Sequence, residues 1–297
     1  MVRRPSVDGR DRYSMLLASP KLLYIFGAKN NKNSGVCRLM SNYKRIRYEV
    51  RGRVAEITMI REPVNAIDML LAQEVVDAYT RVRHDRDVRA VILTSDCKAA
   101  FSAGMDLKMI RGKSGVDLRN FLEVLYFGMH DAQYRLAKPS IAAITAPARA
   151  AGVTLAVSCD MIVAADDIDL SYPEIDVGVI PAMHYVHLPR QIGRHKAFEL
   201  LFSGKPIAAK EAHERGLLNY AVPRDQVLEK ARELAQDMAK KSPTVMRIGR
   251  DSFMRANDNE YRRTIEYVVD TICHIIDTED AQEGLEAFVE KRKPDWS

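Results

Sequence analysis

Residues 138–181 read KPSIAAITAPARAAGVTLAVSCDMIVAADDIDLSYPEIDVGVIP. Ile141–Ile144 and Met161–Ala165 are short, unbroken apolar runs, the composition of strands buried on both faces of a parallel sheet. Between them, Ala150, Ala151 and Gly152 sit at a strand-to-helix junction. Small residues there expose backbone amides at a helix start, where negative charge is favoured; close helix packing accounts for them equally well. Beyond the second strand, Glu174 lies inside the run Tyr172–Pro181. A carboxylate in apolar surroundings is costly unless protonated or paired. Burial would raise its pKa toward neutrality, as proton transfer requires. The competing reading is a solvated loop acid.

The same grammar extends in both directions. Ala90–Thr94 is another continuous apolar strand, followed by Ala100–Leu107, whose Gly104 allows a tight turn with amides facing a ligand. An ordinary strand-to-helix turn explains that stretch too. Ile46–Val50 and Val54–Met59 have strand composition around the turn Arg51-Gly52-Arg53. Asp68 caps a helix running to about Val82, with Leu71, Val75, Val76, Tyr79 and Val82 near helical spacing. Strands alternating with helices predict an α/β body. After about Arg190 the strand signals stop, and helices are expected at 195–202, 208–214, 226–240, 243–256, 261–276 and 281–291. Ser242-Pro243 supplies an N-cap and first-turn pair. The expected division is a basic N-terminal extension, 1–39, an α/β core, 40–235, and a helical region, 236–297.

The 297-residue chain is 47% hydrophobic and 29% charged, ordinary globular composition, with a formal charge of +5. Residues 1–39 hold eight Lys or Arg against Asp8 and Asp11, a net of +6, which leaves −1 for the rest. The basic balance therefore belongs to the extension, and the body offers no general nucleic-acid charge signature. The extension's apolar piece, Met15–Phe26, is broken by Ser19-Pro20-Lys21. No run approaches the roughly 18 apolar residues of a membrane span. A dispensable extension is the preferred reading, and an organellar transit peptide is the alternative. Cys37, Cys97, Cys159 and Cys273 have no metal-ligand or CxxC spacing and read as reduced buried thiols in a cytoplasmic protein.

Taken in order, 100–107, 146–156 and 172–181 resemble the crotonase (enoyl-CoA hydratase/isomerase) superfamily from about Tyr43 to Trp296. Pro63–Ala66, Lys138–Ala143, Ser203–Ile207, Glu211–Leu218 and Glu283–Lys293 add to the likeness. The resemblance implies a spiral of ββα units with a C-terminal helical trimerisation region, assembled as a homotrimer or hexamer. It implies that the amides of Met105 and Ala151 form an oxyanion hole for an acyl-CoA thioester enolate and that Glu174 is the catalytic acid/base. Ala103, Lys108, Phe288 and Lys291 would contact coenzyme A, and Thr154, Pro181, His184 and Tyr185 would lie at the acyl pocket. For the lysines, the alternative is a solvated surface charge. No metal or redox cofactor is implied, since coenzyme A is part of the substrate.

Two positions depart from the hydratase pattern. Two-base members carry a first glutamate three residues after the hole's glycine-type position, and here that residue is Thr154. One-glutamate members move double bonds instead. Residues 182–187, Ala-Met-His-Tyr-Val-His, replace a usually glycine-rich stretch, and His184 or Tyr185 could serve as a supplementary acid or a pocket wall. The expected activity is isomerisation or hydration of a 2- or 3-enoyl-CoA. The alternatives are a family hydrolase, decarboxylase or C–C lyase, or a non-catalytic or RNA-binding member.

Overall fold

The computed structural model describes residues 43–295, with the side chains of 258–267 excepted. The expected extension, 1–39, and its Cys37 lie outside the described residues. The main sheet has six strands. In order they are β1 (Ile46–Arg51), β2 (Val54–Met59), β3 (Ala90–Ser95), β4 (Ser140–Ile144), β6 (Met161–Ala165) and β9 (Tyr220–Val222). Only β1 and β2 are antiparallel. Every residue of β2, β3 and β4 is buried, which is why β3 and β4 read as largely apolar runs rather than alternating ones; β2 buries Glu56 and Thr58 among its apolar residues.

A second, smaller layer sets the site. β5 (Ala148–Arg149), β7 (Asp169–Ser171) and β8 (Ile207–Ala208) pair there. Two parallel bridges, Ser102 with Ala148 and Ile67 with Met105, continue the row. Each of β2, β3, β4 and β6 is thus followed by a short extended segment in the second layer, and this repetition is the spiral of ββ units. The two strands β8 and β9 correct the expectation that strands cease after Arg190. They are two and three residues long, too brief to leave a periodic signal.

Helices complete each turn. α1 (Met69–His84) starts where expected, with Asp68 accepting from the Leu71 amide. Then come α2 (Leu107–Ile110), α3 (Gly115–Leu122), a π-helical stretch (Glu123–Gly128) and α4 (Met129–Tyr134). α5 (Ala151–Val157) follows β5, and a 3₁₀ turn (Pro173–Val177) follows β7. α6 (Ala182–Ile192), α7 (Arg194–Ser203) and α8 (Ala209–Glu214) lead to α9 (Val227–Ala239). α10 (Pro243–Ile276) and α11 (Glu279–Glu290) close the chain. The expected boundary at 235/236 falls inside α9, which packs across β2, β3, β4 and β6 and so belongs to the core. The two helices expected at 243–256 and 261–276 are one 34-residue helix.

Charged side chains fasten these helices. Arg232 of α9 donates both Nε and Nη2 to the buried Glu56 carboxylate of β2, at 2.7 and 2.8 Å. Arg250 of α10 grips Asp160 at 2.9 and 3.0 Å and also donates to the carbonyls of Gln133 and Tyr134. Bidentate, charge-assisted pairs of this kind resist removal of either partner. Cys97, Cys159 and Cys273 are free and buried. Among the described residues, no helix is long and apolar enough to cross a membrane.

Candidate active site

The two small-residue loops meet face to face. Gly104 has φ +88°, and a methyl built on it would stand 2.8 Å from the Ala150 Cβ and 3.3 Å from the Ala151 nitrogen. A methyl on Gly152 would come within 2.4 Å of the Ser102 carbonyl oxygen. Only hydrogen fits at either place, so the glycines allow the contact. The Arg149 amide donates to Ser102 O at 3.0 Å and the Phe101 amide to Pro147 O at 2.9 Å, locking the loops together.

The amides around the junction are mostly committed. Gly104 N–H donates to Ser102 Oγ, Asp106 N–H to Ile67 O and Ala150 N–H to Ser171 O. Among the described residues, no turn or loop bond uses the N–H of Met105 or of Ala151. Both stand where the loops abut, so both N–H groups are left as donors there.

Asn65 organises this junction, and the sequence reading left its role unassigned. It is fully buried with φ +47°. Its Nδ2 donates to Ser95 Oγ at 2.7 Å and Phe101 O at 3.0 Å, its Oδ1 accepts from the Arg61 amide, and its carbonyl accepts from Ser102 Oγ. Asparagine tolerates the left-handed region better than most side chains, and that preference was the available signal.

Beside the loops lies a cavity of about 800 Å³ lined by Ala103, Met105, Lys108, Ala150, Glu174 and Phe288, among others. Glu174 is its one buried acid: Asp106 is paired with Arg61 at 2.7 Å, and Glu62 and Asp176 are exposed. The 3₁₀ turn presents Glu174, and α11 presses on that turn so tightly that a methyl on Gly178 would stand 2.8 Å from Asp280 O. Glu174 Oε2 has no hydrogen-bond partner. Burial drives its pKa from 4.5 up to about 8, slightly offset by a backbone hydrogen bond. The solvated-loop reading of this acid is excluded by its 7% exposure.

Of the residues expected at the site, Ala103, Met105, Lys108, Glu174 and Phe288 line the cavity, and Ala151 backs it through the loop contact. Lys291 is the left-handed C-cap of α11 and is not among the lining residues; Arg292, paired with Glu283, is. Thr154, Pro181, His184 and Tyr185 do not line it either. Residues 182–187 form the start of α6. His184 is buried behind the cavity, its Nε2 3.1 Å from Thr154 Oγ1, and Tyr185 stacks on Phe202. Burial and the neighbouring His187 push the His184 pKa well below its ordinary value, so the ring is neutral. A larger cavity, about 880 Å³, lies against α10; its lining acid, Asp160, is tied to Arg250.

A fold of two interlocked amide loops beside one buried, unpaired carboxylate defines an enzyme class, and sequence comparison supplies its name. The family model for enoyl-CoA hydratase/isomerase matches residues 49–297, and the chain belongs to that family. A probable enoyl-CoA hydratase of Rhizobium meliloti is 33% identical, over 86% of this chain and 98% of its own. The carnitinyl-CoA dehydratase of Proteus mirabilis is 31% identical, over 83% and 95%. Among solved structures, a carnitinyl-CoA hydratase from Mycobacterium avium superposes with a TM-score of 0.76 at 30% identity, covering 85% of this chain and 98% of that one.

Proposed function

We propose that this enzyme isomerises enoyl-CoA thioesters by one-base proton transfer. The thioester oxygen would accept from the Met105 and Ala151 amides, which hold negative charge as the α-carbon loses its proton. Glu174 would take that proton and return it at the other end of the shifted double bond. The carrying observation is the one buried carboxylate of the cavity, beside the amide pair, with Oε2 free of any hydrogen-bond partner. Where two-base members have a first glutamate, Thr154 is bonded to a neutral imidazole, and neither group is a carboxylate able to activate water. The relatives' names therefore fit the family but not, on this reading, the reaction. Lys108 and Phe288, on the cavity rim, suit the nucleotide end of coenzyme A. The chemistry calls for no metal or redox cofactor.

The large apolar residues Val245, Ile248 and Phe253 are exposed on α10. They support self-association as a trimer or hexamer. A panel of 2- and 3-enoyl-CoA esters, with products identified by mass spectrometry, tests the activity. Double-bond migration is expected, and Thr154→Glu should raise water addition to crotonyl-CoA. Efficient hydration by the wild type, unchanged in Glu174→Gln, would refute the assignment, and no turnover of any ester would point to a binding-only member.

A further inference from the structure

We propose that His184 is a positioning residue of the oxyanion hole, acting through the Ala150 carbonyl on the Ala151 amide. The inference rests on the reading of Met105 and Ala151 given under the proposed function. The Ala150 carbonyl and the Ala151 N–H are the two ends of one peptide group. His184 Nε2 lies 3.3 Å from Ala150 O. A donor on that oxygen polarises the peptide and strengthens the N–H at its far end, the cooperativity that links hydrogen bonds in series. The same contact holds the peptide's orientation, and this one needs holding. Ala150 has φ +49° and ψ −127°, a conformation that a residue with a Cβ rarely adopts and keeps only when its surroundings impose it.

The proton's location decides whether His184 can donate. Its Nδ1 lies 3.2 Å from His187 Nε2, so one of these two nitrogens carries the shared hydrogen. If His187 Nε2–H donates, His184 keeps its own hydrogen on Nε2, directed to Ala150 O and Thr154 Oγ1. His187 Nδ1 is then a bare lone pair, and it has no partner, a smaller cost than an orphaned N–H. The Met183 carbonyl near the His187 ring favours the opposite relay. That relay would leave His184 Nε2 accepting from Thr154 Oγ1–H at 3.1 Å, with its lone pair 3.3 Å from Ala150 O. The first arrangement is the one proposed, and the imidazole shifts decide between the two. Burial keeps both rings neutral, with His187 lowered to about 4, so each ring has one hydrogen to place. The packing fixes the ring: Tyr172 meets it edge-on with centroids 4.4 Å apart, and His184 is 1% exposed.

Two measurements test this. In wild-type protein labelled with ¹⁵N-histidine, the imidazole shifts of His184, assigned by their loss in His184→Gln, should report hydrogen on Nε2. A hydrogen on Nδ1 with bare Nε2 would overturn the proposal without any variant having to fold. Second, the carbonyl stretch of a bound 2-enoyl-CoA, ¹³C-labelled at the thioester, reads the hole directly. His184→Phe keeps a ring but cannot donate. It should lower kcat about tenfold, a part of the ~10²–10³-fold carried by a whole oxyanion donor, leave KM within about twofold, and diminish the red shift of the stretch. His184→Gln, whose Nε2 can reach the same oxygen, should restore most of both. A folded His184→Phe variant with wild-type kcat and stretch would overturn the proposal. A wild-type protein that binds no thioester would instead defeat the functional reading, while the tautomer would still decide the contact.

Discussion

Replacing Glu174 with glutamine should make the protein more stable as the pH rises, while removing its activity. In the folded chain Glu174 keeps its proton up to about pH 8, whereas unfolded it titrates near the ordinary 4.5. Between those values the native state holds one proton more than the unfolded state, so stability falls as pH increases, by about 1.4 kcal/mol per pH unit. Below 4.5 both states are protonated and nothing is lost; above about 8 the full penalty, about 5 kcal/mol over that interval, has accrued. Glutamine has the shape of the neutral acid and does not titrate. Equilibrium urea unfolding of wild type and Glu174→Gln, at equal protomer concentration from pH 5 to pH 9, isolates this group, because the other titrating residues cancel in the difference. The stability gap should open in favour of glutamine and level off near pH 8. Any hydrogen-bonding change from the new amide shifts the gap by a constant, so the slope is the test. A pH-independent gap would refute the argument that burial, and not pairing, sets this carboxyl. In parallel, turnover should fall by roughly the 10²–10⁴-fold of a lost general base.

Three other outcomes follow from the packing. Gly152→Ala drives a methyl toward Ser102 O; by the cost of overpacking it should lose about 1–3 kcal/mol in urea unfolding and lower kcat by parting the amide loops. Arg250→Met leaves Asp160 with Ser140 and solvent; losing the hydrogen bonds of this part-buried charged pair should cost about 1.5–3 kcal/mol, measured by the same unfolding. Light scattering at micromolar concentration should give a mass of three or six chains of 33.6 kDa; a stable monomer would contradict the oligomer expected from the exposed face of α10.

Three strands were legible because burial on both faces writes itself as an apolar run: Ala90–Thr94, Ile141–Ile144 and Met161–Ala165 all lie in the main sheet, as does Val54–Met59, which was legible by strand composition although it carries Glu56. The capped start of α1 was legible because one side chain, Asp68, makes it. α6 was not foreseen as a helix. It carries Pro189 in its interior, a residue that removes a helical donor and normally ends the element; here burial of Met183, His184, Val186 and Leu188 outweighs that local preference. The gap expected between helices at 243–256 and 261–276 is not there, because α10 runs through it. At the site, Glu174 was visible as a charge in an apolar run. The link between Thr154 and His184 was not, because thirty residues separate them and only the tertiary fold brings them to 3.1 Å.

The abutment of Gly104 on Ala150 and Ala151 carries a consequence for how this enzyme tolerates change. The donors assigned to the thioester oxygen are main-chain atoms, and no substitution at Met105 or Ala151 deletes an N–H, proline excepted. A saturation scan should therefore find Met105, which lines the cavity, comparatively permissive toward other apolar side chains, whereas Ala151, 1% exposed, is limited by space and not by its N–H. Gly104, Gly152 and Asn65, which touch no reacting atom, should be the intolerant ones. Functional constraint in this protein falls on whoever makes room, and ranking residues by their distance from the chemistry would misplace it.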